Sequence, residues 1–153
     1  MIRFPLPAIL LGGLAAGTAF AAPAQPSVEH RTRIAHSSGP VEAAYRGRVD
    51  IAHRQVGAVT PGGRPSTLRC LWSANVTVDR AATSAAGMTL SRSVDGGAAI
   101  QGHRAGWCDT HRASIAQEVA RRADQLRGYV EVLAAEDHDV LRAELDQAAT
   151  RTG

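Results

Sequence analysis

The clearest regularity in the chain is an alternation with a period of two. Leu68, Cys70, Trp72, Ala74, Val76 and Val78 fall on one side, while Arg69, Ser73, Asn75, Thr77 and Asp79 fall on the other, which predicts a half-buried β-strand. Only Leu71 breaks this pattern. An earlier stretch behaves in the same way. Val41, Ala43, Tyr45, Gly47, Val49 and Ile51 share one face, and Glu42, Arg46, Arg48 and Asp50 share the other, until the phase slips near Val56. The run Thr60-Pro61-Gly62-Gly63-Arg64-Pro65 separates the two strands, because proline withholds a ladder donor and glycine favours turns.

A third strand is predicted over residues 88–94, with Met88, Leu90 and Val94 together and Arg92 on the nominally inward face, where nothing in the pattern accounts for it. Asp95-Gly96-Gly97 supplies residues that tolerate positive φ, so a hairpin turn is expected there and a fourth strand should return from Ala98. A three-residue turn is preferred, since it keeps Ile100 and Cys108 on the side of Leu90 and Val94; a two-residue turn would flip them.

Beyond Cys108 the period becomes helical. Ile115, Val119, Ala123, Leu126, Val130 and Leu133 form one stripe, and Arg112, Glu118, Arg121, Arg122 and Glu131 lie mostly away from it. Asp109 is the expected N-cap. A second apolar set, Val140, Leu141, Leu145 and Ala148, follows the polar Glu136-Asp137-His138-Asp139, where Asp137 could cap a new helix; two helices and one long bent helix both fit. The expected architecture is α+β: a small antiparallel sheet of about four strands with one or two C-terminal helices packed on one face.

The ends of the chain change the picture. Met1, Ile2 and Arg3 give a short positive start, the stretch 6–16 is apolar, and Ala19-Phe20-Ala21 has the small residues at the spacing a signal peptidase accepts, so residues 1–21 read as a cleavable signal with Ala22 as the new N-terminus. No cysteine follows the apolar run to carry a lipid, and no later segment is apolar enough to span a bilayer. Residues 22–40, rich in Pro, Ser, His and Arg without a sustained period, read as a flexible leader. Residues 41–149 read as the domain, and residues 150–153 as a disordered tail.

Composition narrows the class. The hydrophobic fraction is 44% but aromatics are only 4%, so the core is expected from Ala, Val, Leu and Ile, with Trp72 and Trp107 as its bulky pieces. All 17 basic residues are Arg, which is read as a compositional bias and not as arginine-dependent recognition. Loss of Arg3 with the signal takes the net charge from +3 to +2, too balanced for a dedicated nucleic-acid binder. The basic residues between His30 and Arg54 are interleaved with Glu29, Glu42 and Asp50, as on a solvated surface.

The two cysteines are the most informative chemical pair. In an oxidising compartment Cys70, on the inward face of the best strand, is expected to bond Cys108, where the sheet meets the helix. The densest reactive cluster runs from His103 to His111. His103 and His111 are weak metal candidates, because a tetrahedral site wants four ligands and a disulfide removes Cys108. No phosphate-binding loop and no G-x-S-x-G motif is present, and Glu136, Asp137 and Asp139 are explained by the dipole of a helix start. The sequence therefore implies no cofactor and no assembled catalytic set. It leads to an exported, periplasmic or secreted, disulfide-stabilised, non-enzymatic domain that binds a partner, such as another envelope or extracellular protein, or serves an envelope role; the alternative is a small hydrolase or metal-dependent enzyme using His103, Asp109 and His111.

Overall fold

The computed structural model describes residues 27–62 and 66–152. Strands β1 (Ser27–Ile34), β2 (Val41–Val56), β3 (Arg69–Ser84) and β4 (Thr89–Ala105) form an antiparallel sheet in the order β1-β2-β3-β4, followed by helices α1 (Cys108–Arg121) and α2 (Ala123–Thr152). Each strand pairs with the next in the chain, the arrangement that short reversals between consecutive strands produce most readily. The β1–β2 turn closes with a Gly39 N–H donating to His36 at 3.0 Å, and the β3–β4 turn closes with Gly87 N–H donating to Ser84 at 2.9 Å. Both helices lie on one face, as the change of period predicts.

The core lies between this face and the helices. Val41, Ala43, Tyr45 and Val49 of β2 and Cys70, Trp72, Ala74, Val76, Val78 and Ala82 of β3 are buried, as the alternation requires. They meet Ile115 and Val119 of α1 and Leu126, Val130, Ala134, Leu141 and Leu145 of α2. Gly47 lets α2 approach: a Cβ there would lie 2.6 Å from Val130 Cγ2.

Six features depart from the sequence pattern. The sheet begins inside the stretch read as a leader, since Ser27–Ile34 pairs with β2 from Ser27 opposite Arg48 to Ile34 opposite Val41. Its inward residues Val28, His30 and Thr32 are only half-buried, as suits an edge strand, so they carry little apolar signal. The Asp95-Gly96-Gly97 turn does not form. Residues 89–94 and those from Ala98 onward belong to one strand, and two register shifts against β3, between Ala74 and Asn75 and between Val76 and Thr77, leave Ala99 and Gly96 without a partner on β3, as bulges, while Gly97 stands opposite Val76. Gly97 takes φ 71° while Asp95 accepts its N–H at 2.9 Å, the local geometry that had suggested a turn.

The helix boundary is also displaced. The break falls at Arg122, where the N–H donates to Val119 at 3.0 Å, and α2 then runs without interruption through Glu136-Asp137-His138-Asp139. It continues because Ala134, Asp137, Leu141 and Leu145 make one buried stripe in which Asp137 faces the sheet. Asp109 is not the N-cap. Trp107 occupies that position without a side-chain cap bond, and Asp109 sits in the first turn, accepting from Arg112 at 2.9 Å. Trp107 itself is 54% exposed and is not a core residue. At the other end α2 continues to Thr152, through most of the stretch read as a tail. The signal segment 1–21, and residues 22–26 of the leader, lie outside the described residues.

Candidate functional site

Cys70 and Cys108 are joined, with Cα atoms 4.7 Å apart. The bond ties the second residue of β3 to the first residue of α1, so sheet and helix layers are fixed at that end. Gln55 reinforces the junction. Its Oε1 accepts the Cys108 N–H at 2.8 Å, and its Nε2 donates to the carbonyls of Arg69 and Gly106 at 3.0 and 3.1 Å.

The reactive cluster around Cys108 is dispersed. His111 is engaged through Nε2 with the Ala105 carbonyl at 2.8 Å, Asp109 with Arg112, and His103 stands exposed on β4. Among the described residues no group of three or more His, Cys, Asp or Glu side chains is placed to hold a metal ion.

A polar row crosses the inner face of the sheet at its other end. His30, Tyr45, Arg80 and Arg92 stand opposite one another on β1, β2, β3 and β4. Arg80 is the next inward position after Val78, and its side chain is fully buried. Its guanidinium donates to Asp137 at 2.8 Å and to Glu144, both on α2, while Arg92 lies 3.7 Å from each of those carboxylates. The Tyr45 hydroxyl donates to Asp137 at 3.2 Å. Arg92 and Glu144 are 40% and 34% exposed, so the cluster opens to solvent beside β4. Arg80 Nε and His138 Nε2 are buried with no hydrogen-bond partner among the described residues.

Electrostatics follow from this enclosure. Burial, reinforced by the charge of Asp137 and the hydrogen bond to it, pushes the Tyr45 hydroxyl well above its usual range. Burial works against the charge on Arg80, but the hydrogen bonds to Asp137 and Glu144 outweigh it and raise its pKa, so the guanidinium stays charged inside the fold. Nothing in the cluster pairs a nucleophile with a base, and its chemistry is that of a structural ion pair network. Residues Arg80 and Asp137 were missed as a pair because only the alternation carried past Val78, with the helical stripe carried through Asp137, puts them face to face.

Among the described residues no helix covers the opposite face of the sheet. Its cross-strand rows run Glu29–Arg46–Asp79–Ser93, Arg31–Ala44–Ala81–Ser91 and, near the disulfide, Arg54–Leu71–His103. The Arg48–Asp79 and Arg33–Glu42 ion pairs, at 2.9 and 2.5 Å, hold part of this surface in place. Among the described residues, depressions mark it, of which two matter here. One, of about 460 Å³, has Ala44 and Ala81 as its floor with Arg46, Ser91 and Ser93 around them; the other, of about 370 Å³, centres on Leu71. Among the described residues no helix is long and apolar enough to cross a membrane. Comparison of the chain with protein-family models, with curated proteins and with solved structures finds no match.

Proposed function

We propose that the chain is an exported, periplasmic or secreted, non-enzymatic binding module that uses the open face of its sheet, with another envelope or extracellular protein as its partner class. The observation that carries this reading is the face that no helix covers among the described residues. Both helices pack on the other side, leaving charged side chains, small-residue floors and the half-buried Leu71 directed outward from four rigid strands. Export is supported by the basic start, apolar run and Ala19-Phe20-Ala21 spacing, and the Cys70–Cys108 bond suits an oxidising compartment. The enzyme reading needs His103, Asp109 and His111 to converge, yet Arg112 and the Ala105 carbonyl already engage two of them.

A photo-crosslinking amino acid at Thr77, on the open face, and at Val132, 56% exposed on α2, tests the reading in the exporting cell. A discrete adduct from position 77 and none from 132 is the expected result. Adducts from 132 alone, or a hydrolytic activity abolished by His103→Ala, would overturn it.

A further inference from the structure

The residue that broke the strand pattern marks a specific place on the open face. Leu71 points away from the core, because its neighbours Cys70 and Trp72 are buried on the other side of β3. In register, Arg54 of β2 stands opposite it on one side and His103 of β4 on the other, and directly opposite residues of antiparallel strands share a face. Ala52 and Gln101, one row along, are exposed beside it. The depression over Leu71 continues into a neighbouring one of about 280 Å³ that shares Leu71 and Gln101.

Three properties of this place point in one direction. None of the described residues lining it is acidic. The side chains of Arg54 and His103 are exposed and, among the described residues, make no hydrogen bond or ion pair, unlike Arg33 and Arg48 on the same face. Leu71 lies between them and Ala52 one row along, an apolar surface held at a fixed height by the sheet. A guanidinium fork matches a carboxylate in two parallel hydrogen bonds, and the Gln101 amide adds a neutral donor.

We infer that this end of the open face is a binding site for a small amphiphilic carboxylate, whose apolar body lies on Leu71 and Ala52 while its carboxylate is taken by Arg54, with His103 on the opposite flank. The inference rests on the reading of the open face as a binding surface and adds to it, beside the surface proposed for a protein partner, a site for a small molecule.

The probe is 2-naphthoate, titrated into the purified isotope-labelled protein and followed by NMR, with 2-naphthalenemethanol as its neutral counterpart. Saturable shifts at Leu71, Gln101 and His103 are expected, with the alcohol binding about tenfold more weakly, the ratio expected for one charge-assisted hydrogen bond. Arg54→Gln should weaken naphthoate about tenfold and leave the alcohol unchanged, and Leu71→Ala should weaken both. Equal binding of acid and alcohol, an unaltered affinity in Arg54→Gln, shifts confined to other surfaces, or no saturation would each overturn the site. If naphthoate fails while the crosslink from position 77 persists, the ligand class falls and the binding module stands; if both fail, both fall.

Discussion

Removal of Asp137 gives the most direct measure of what the inner polar row contributes. The Asp137 side chain is 4% exposed, and it faces a guanidinium with no exposure at all. Asp137→Leu would leave the Arg80 charge inside the fold with Glu144, itself 34% exposed, as its close partner. Breaking a buried pair in this way costs about 3–5 kcal/mol, and because Glu144 remains, the lower end is expected, about 3 kcal/mol. For a chain of this size that corresponds to a fall in Tm of roughly 6–12 °C. Arg80→Met should cost a similar amount, since Asp137 keeps the more distant Arg92 and the Tyr45 hydroxyl.

The double variant carries neither buried charge and fills the space with apolar atoms. It should therefore be less damaging than the sum of the two single changes, by roughly 3 kcal/mol of coupling. Urea unfolding of the four proteins, with the disulfide intact and an unchanged slope, supplies the cycle. A loss below about 1 kcal/mol in Asp137→Leu, or strict additivity in the double variant, would refute the reasoning.

Cys70→Ser should lower stability by about 2–5 kcal/mol and leave Cys108 open to maleimide after unfolding, read by denaturation and mass spectrometry. Gly47→Ala places a Cβ 2.6 Å from Val130 Cγ2 and should cost about 1–3 kcal/mol, and Val130→Ala in the same chain should recover part of that loss by removing the clashing methyls. The raised Tyr45 pKa makes alkaline stability fall, because above about pH 10 an unfolded tyrosine releases its proton while the folded one holds it. Stability should then drop by about 1.4 kcal/mol per pH unit beyond that point, and Tyr45→Phe should flatten this part of the profile in urea titrations across the alkaline range.

Where burial alternates strictly, the sequence was readable: the inward sets of β2 and β3 are those their period of two indicates, and the Cys70–Cys108 bond follows from one inward cysteine and one at a helix start. It was misleading where a polar group does an apolar group's job. Asp137 read as a cap because a carboxylate in a helical stripe looks like a terminus, and only its partner Arg80, 57 positions away, makes it an interior residue. Asp95-Gly96-Gly97 read as a turn because bulge and turn ask the same φ of glycine. What selects the bulge is tertiary: a Cβ at Gly96 would lie 2.5 Å from Leu133 Cδ1, and the Tyr129 hydroxyl donates to the Gly96 carbonyl, so α2 needs bare backbone there. Strand β1 was hidden because an edge strand with Glu29, Arg31 and Arg33 outward buries little. The site was legible only as an anomaly, Leu71, whose flanking Arg54 and His103 come together through register alone.

Cys70 and Arg80 sit ten positions apart on β3, a span of about 33 Å at the rise of an extended strand. The domain is thus fastened at both ends by clasps of different kinds, one covalent and one ionic. Transient openings that part the ionic end leave the covalent end closed, so amide exchange should be graded along β3, and reduction should shift that gradient toward the Cys70 end. The Arg54–Leu71–His103 row borders the covalent clasp. The surface assigned to the ligand therefore belongs to the last part of the sheet to breathe, and its geometry is set before any ligand arrives.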